Sequence, residues 1–145
     1  MTATVDPQQV YTLYCDGASR GNPGQASIGF AIFDADGQEI FGMGRYLGDQ
    51  ITNNVAEYES LLQGMKQAAE LGVRRLQVRM DSQLAVRQVQ GTYRVRNAGL
   101  QPLFQSVRRC VGLFESFEID HVPRDQNSRA DALANLALDE LPSTE

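Results

Sequence analysis

The chain has 145 residues, a formal net charge of −5, and 42% hydrophobic and 21% charged residues, ordinary values for one globular domain able to bury a sizeable core. Its polar start carries no basic-then-apolar leader, no run is long enough to span a membrane, and two isolated cysteines lack disulfide or metal-site spacing, so a reduced, cytoplasmic protein is expected. The negative balance speaks against a nucleic-acid partner, but 12 of the 13 basic residues are Arg, with Arg94 near Arg96 and Arg124 near Arg129, and such patches can grip phosphates, so composition leaves that question open.

Val10 to Cys15 alternates aromatic, β-branched and aliphatic residues and predicts a strand. Asp16 follows, then three glycines, an Asn and a Pro before residue 25, a composition that predicts a turn ending the strand at Asp16. Ala26 to Asp34 and Glu39 to Leu47 read as strands around a turn containing Gly37, giving an antiparallel set of three. Val55, Tyr58, Leu62, Met65 and Ala69 recur at helical steps, with Thr52, Asn53 and Asn54 as cap candidates and Gly72 at the end. Arg75 to Met80 is a short strand, and Asp81-Ser82 opens a helix reaching about Gln90.

A polar, Arg-bearing loop from Gly91 to Gly99 leads to a third helix traced by Leu100, Leu103, Phe104, Val107, Val111 and Phe114. Phe117 to Val122 is the last strand, Pro123 to Asn127 a loop, and Ser128 to Asp139 the final helix. One domain over residues 1–145 is expected, with flexible ends at 1–9 and 140–145. Helical crossovers join parallel strands, so the first, fourth and fifth strands form the parallel part of a mixed five-stranded α/β sheet. Sites in such sheets lie at the carboxyl ends of the parallel strands.

That topology lets four acids converge: Asp16 after the first strand, Asp81 after the fourth, Glu57 in the first turn of the long helix and Asp131 in that of the last. Each has a plainer reading. Asn54-x-x-Glu57 and Ser128-x-x-Asp131 fit capping boxes or near variants, Asp81 can cap its helix, and Asp16 can bond turn amides. Capping does not explain four acids at one edge, two of them interrupting apolar strands. Carboxylates without a Cys or multiple-His set favour Mg²⁺ or Mn²⁺ over zinc, and two such ions about 3.5–4 Å apart can clamp both oxygens of a phosphoryl displacement.

The stretches YCDGASRGNPG, TNNVAEYESLLQG, MDSQLAV and HVPRDQNSRADALAN, in that order, resemble type 1 ribonuclease H over Tyr11 to Leu138. The resemblance implies a ribonuclease H-like fold and a monomeric endonuclease that hydrolyses the RNA strand of RNA–DNA hybrids with two metal ions, leaving 5′-phosphate and 3′-hydroxyl ends; double-stranded RNA stays open as a second substrate. It implies that Asp16 bridges the metals, Glu57 and Asp81 hold the leaving-group ion, and Asp131 holds the water-activating ion. Asn22, Asn53, Asn54 and Gln83 match positions along the minor groove, where polar side chains can meet 2′-hydroxyls, and Thr52 matches a phosphate contact. Turn and cap chemistry remains the alternative for these polar residues.

Two departures stand out. Many members carry a catalytic His in the loop before the last Asp; here that loop has none, and His121 at a strand end fits a packing or hydrogen-bonding role. Arg124 resembles an arginine that some members, archaeal ones among them, carry in this loop; a solvated surface charge is the alternative. The Gly91–Gly99 stretch is too short for the basic protrusion of many members, and Tyr93, Arg94 and Arg96 are a reduced substitute or a solvated loop. A hybrid-binding module without turnover is the competing class, but four acids beside phosphate gain a binder nothing. A transposase or integrase core would share the sheet, but the placement of Glu57 fits it poorly.

Overall fold

A computed structural model describes residues 4–140. Of the expected flexible ends at 1–9 and 140–145, residues 1–3 and 141–145 lie outside it, while Asp6 to Gln9 form a turn, with the Asp6 N–H donating to the Tyr11 hydroxyl at 2.9 Å. The elements are β1 (Val10–Gly21), β2 (Gly24–Phe33), β3 (Glu39–Ile51), α1 (Asn53–Leu71), β4 (Arg75–Met80), α2 (Gln83–Gln90), α3 (Gln101–Val111), β5 (Ser116–His121) and α4 (Ser128–Asp139). The five strands form one sheet in the order β3-β2-β1-β4-β5, antiparallel across β1–β2–β3 and parallel across β1–β4–β5, as the crossovers dictate.

Alternation along β1 sends Tyr11, Leu13 and Cys15 to one face, where they join Ile28, Phe30, Leu61, Met65, Val78, Val86 and Val107 in the core beneath α1, α2 and α3. Burying a side chain such as Leu13 completely contributes about 2 kcal/mol. The expected boundaries of α1 hold: the Thr52 hydroxyl accepts from the Val55 N–H, and Gly72 closes the helix at φ 97°. In α2 the N-cap is Ser82, not Asp81, which leaves the Asp81 carboxylate free to face the sheet edge.

The stretch after Asp16 corrects the sequence reading. β1 does not end at Asp16 but runs on to Gly21, because β2 pairs with it through Gly17↔Ile28, Ser19↔Ala26 and Gly21↔Gly24. Its parallel pairing with β4 stops at Tyr14↔Arg79. Asp16 therefore sits just past the carboxyl end of the parallel sheet, on a strand still held by one neighbour.

Opposite Asp16 in the register is Gly29. A Cβ there would meet the Ala130 carbonyl oxygen at 2.2 Å and the Ala134 nitrogen at 2.4 Å, so α4 lies directly on the β2 backbone. That close approach puts the first turn of α4 over Asp16. The α4 helix is held further by the Ser27 hydroxyl, which donates to the Ala134 carbonyl, and by a two-pronged Arg129–Glu39 ion pair with contacts at 2.7 and 3.1 Å. No helix among the described residues is long and apolar enough to cross a membrane.

Candidate active site

Three of the four acids meet closely. Asp16, Glu57 and Asp81 each present an oxygen within 4.8 Å of the others. Glu57 stands in the second turn of α1, not the first as the sequence suggested, and neither proposed capping box forms: Thr52 caps α1, and α4 has no side-chain cap. What brings Glu57 to Asp16 is Gly17, where a Cβ would meet the Ala56 carbonyl carbon at 2.4 Å and the Glu57 nitrogen at 2.5 Å. The helix backbone thus rests on the strand with no side chain between them. Asp131, in the first turn of α4, lies outside this tight triad but lines the same cavity of about 520 Å³.

The cluster is electrostatically loaded. Asp16 is only 5% exposed, and burial, followed by the charges of Glu57 and Asp81, pushes its carboxyl well above the usual carboxylate range. Burial and then Asp81 raise Glu57 as well, opposed by hydrogen bonds from Asp16 and the Gly17 N–H. Glu57 Oε2 is buried without a hydrogen-bond partner. A buried carboxylate oxygen left unmatched beside two other acids is costly unless a cation or proton supplies the missing charge. An all-oxygen donor set suits a hard divalent ion, so residues and metal fit.

Arg124 also lines this cavity, its Nη2 3.9 Å from Asp131 Oδ1, with 80% of its side chain exposed. Asn53 and Asn54 line it too, and they share a neighbouring cavity of about 450 Å³ with Asn22, Thr52 and Asn97. There the Asn22 side-chain oxygen accepts from the Asn53 N–H at 3.1 Å, tying the β1–β2 turn to the start of α1. Gln83 is exposed at the start of α2 and lines neither cavity. His121 is exposed and makes no side-chain hydrogen bond among the described residues, so the expected packing or bonding role is not what its position shows.

Sequence reasoning missed two asparagines that organise the acids. Asn135 donates to the carbonyl and carboxylate of Asp131 at 2.9 and 3.2 Å. Its i, i+4 spacing from Asp131 was the available signal. Asn127, read as loop, is the residue preceding α4 and is buried against Cys15 and Asp81.

The family described as Reverse transcriptase-like matches residues 14–137. This sheet order, with its acids on one edge, defines a hydrolase of the ribonuclease H class. Ribonuclease HI of Halobacterium salinarum is 39% identical over 142 residues, 97% of this chain and 71% of that protein. The bifunctional protein Rv2228c of Mycobacterium tuberculosis is 38% identical over 127 residues, and the match spans 88% of this chain but 35% of its length. Among solved structures, RNase H1 from Halobacterium salinarum superposes with a TM-score of 0.88 at 39% identity, covering 91% of this chain and 99% of that one. LC11-RNase H1, solved in complex with an RNA/DNA hybrid, gives 0.85 at 38% identity over 90% and 97% of the two chains. The chain belongs to the type 1 ribonuclease H (ribonuclease HI) family, in a short form whose α2 and α3 are joined by a brief loop with no basic protrusion.

Proposed function

We propose that this chain is an endonuclease that cuts the RNA strand of RNA–DNA hybrids using two divalent ions, Mg²⁺ or Mn²⁺. The observation that carries the reading is the close triad of buried Asp16 with half-buried Glu57 and Asp81, its Glu57 oxygen unmatched, opening on a cavity that Asp131 and Arg124 also line. The LC11 relative's complex with a hybrid supports the substrate class. Asp16, Glu57 and Asp81 would hold one ion, and Asp16 with Asp131 the other. When bound, such ions stabilise charge on the attacking and leaving oxygens of an in-line displacement.

In the reaction, a water oxygen bonds to phosphorus and gives up a proton to solvent, the bond from phosphorus to the 3′-oxygen breaks, and that oxygen takes up a proton from solvent. The ends are a 5′-phosphate and a 3′-hydroxyl. Asn22, Asn53 and Asn54, around the acid cavity and its neighbour, offer amides to 2′-hydroxyls along the minor groove, and Thr52 lies beside them as the phosphate contact. Gln83 extends this contact line from the start of α2. We read the working unit as a single-domain monomer in the cytoplasm, which the two free cysteines, Cys15 and Cys110, suit.

The test is cleavage of strand-labelled duplexes with Mg²⁺, with Mn²⁺ and with chelator. The hybrid's RNA strand should be cut only with metal, and DNA–DNA left whole because it lacks 2′-hydroxyls; a double-stranded RNA arm sets the breadth of the substrate class. Metal-dependent binding of hybrid without cleavage would favour a binding module instead.

Metal removal should also be visible in stability. Folded-state values raised above the unfolded ones, near pH 4, mean that the folded chain holds protons which the unfolded chain has released. This stabilisation is complete below about pH 4 and is lost as pH rises toward the raised values of Asp16 and Glu57. Thermal melts in chelator should therefore show Tm falling from mildly acidic to mildly alkaline pH, with Mg²⁺ reversing much of the fall. A Tm that ignores both pH and Mg²⁺ would contradict the loaded cluster.

Arg124 carries a permanent charge and is a poor proton acceptor, so its role is to attract the scissile phosphate or draw the product phosphate away. Arg124→Ala should lower kcat on the order of tenfold, a modest loss because 80% of the side chain is exposed to solvent screening. Arg124→Lys should recover part of it, and His121→Ala, exposed and outside the cavity, should change neither kcat nor Tm appreciably. Full activity in Arg124→Ala beside a dead, folded His121→Ala would reverse these assignments.

A further inference from the structure

Asn127 is 1% exposed and touches three elements that bear acids. Its Nδ2 donates to the Cys15 carbonyl at 3.0 Å, immediately before Asp16, and to Asp81 Oδ1 at 3.2 Å. Its own carbonyl accepts from the Asp131 N–H at 3.1 Å at the start of α4. Both side-chain partners are acceptors, so the amide nitrogen must face them. The side-chain oxygen is left buried with no donor, a cost the fold accepts at this position.

We infer that Asn127 is a positioning residue that sets the spacing of Asp16, Asp81 and Asp131, and that the metal affinity of this chain depends on its side-chain amide. The inference rests on reading the acid cluster as a metal site. The physical reason is the parallel sheet itself. β1 and β4 stop pairing at Tyr14↔Arg79, so beyond that point no backbone bond between the two strands fixes Asp16 relative to Asp81. The two bonds from one planar amide bridge that gap. With one hydrogen held by the Cys15 carbonyl, the other is directed at Asp81 and limits the rotamers that carboxylate can adopt. Groups that orient metal-binding carboxylates in this way commonly change affinity or activity when removed.

The experiment compares wild type, Asn127→Ala, Asn127→Ser and, as a control for stability alone, Val107→Ala, which empties a fully buried position in α3. Mg²⁺ binding is followed by calorimetry and by the Mg²⁺-induced rise in Tm, beside kcat and KM on labelled hybrid. Asn127→Ala should weaken Mg²⁺ binding roughly tenfold or more and shrink the Mg²⁺-induced rise in Tm. Its kcat should fall with KM for hybrid little changed. Asn127→Ser, with one shorter donor, should recover part of the loss and serves as the reporting variant if the Ala form does not fold. Val107→Ala should lose Tm but keep wild-type Mg²⁺ affinity. Wild-type Mg²⁺ affinity in a folded Asn127 variant, or an equal loss in Val107→Ala, would overturn the inference. A wild type that shows no Mg²⁺ response at all would overturn the metal reading and this inference with it.

Discussion

Asp16→Asn should reduce hybrid cleavage on the order of a thousandfold or more while leaving the protein folded. On the proposed reading the triad would supply several kcal/mol of transition-state stabilisation through the ions it holds, and each step of about 1.4 kcal/mol is tenfold in rate. Asn keeps the shape of Asp but offers a neutral amide within 4.8 Å of carboxylate oxygens of Glu57 and Asp81. In chelator the same variant should melt a few degrees above wild type, about 3 °C for each kcal/mol of relieved repulsion in a chain of this size. Adding Mg²⁺ should then move its Tm far less than it moves wild type. Purified, folded Asp16→Asn with substantial Mg²⁺-dependent cleavage would remove Asp16 from the centre of the site.

Gly17→Ala should be nearly as damaging, with no change of charge. Its methyl group would stand 2.4 to 2.7 Å from three backbone atoms of Ala56 and Glu57, so the start of α1 must move or the strand must bend. Neither is the tip of a flexible side chain that can swing aside. Overpacking of this kind costs about 3 kcal/mol, which is roughly 10 °C in Tm for a chain of this length. The displacement also falls on the element that carries Glu57. Activity should therefore be lost even at temperatures where the variant is fully folded. A Gly17→Ala protein with wild-type Tm and turnover would show that α1 does not rest on β1 here.

The helices and the parallel strands were legible because their signals are local. Thr52, Ser82, Gly72 and the apolar steps of α1 state where elements begin and end, and β4 and β5 sit within one residue of their expected bounds. The four acids were legible as a set because the topology sends the end of the parallel pairing of β1 with β4 and the starts of α1 and α4 to one edge. The second half of β1 was not. Its Gly, Ser and Arg residues argue for a turn, and only pairing with β2 overrides that preference. The capping boxes failed for a related reason: the pattern at Asn54 and Ser128 is real, but Glu57 and Asp131 turn toward the cavity instead. Asn127 was invisible because its partners lie 112 and 46 residues away. Gly17 and Gly29 read as turn and strand residues when each marks a helix lying on bare backbone.

The docking of α4 has a consequence for how the protein is made. Its bonds reach far back along the chain, with the Ala134 carbonyl accepting from Ser27 across 107 residues. Contacts of such separation form late, because the loop must close before they repay its entropy. During synthesis Asp16, Glu57 and Asp81 leave the ribosome long before Asn127 and Asp131. A nascent chain therefore carries three of its acids with neither the fourth nor the amide between them, and a translation product that stops before Ser128 has no α4 to cover Gly29. On the proposed reading such a fragment lacks Asp131 and would not cleave hybrid, even though the asparagines assigned to the minor groove are already present.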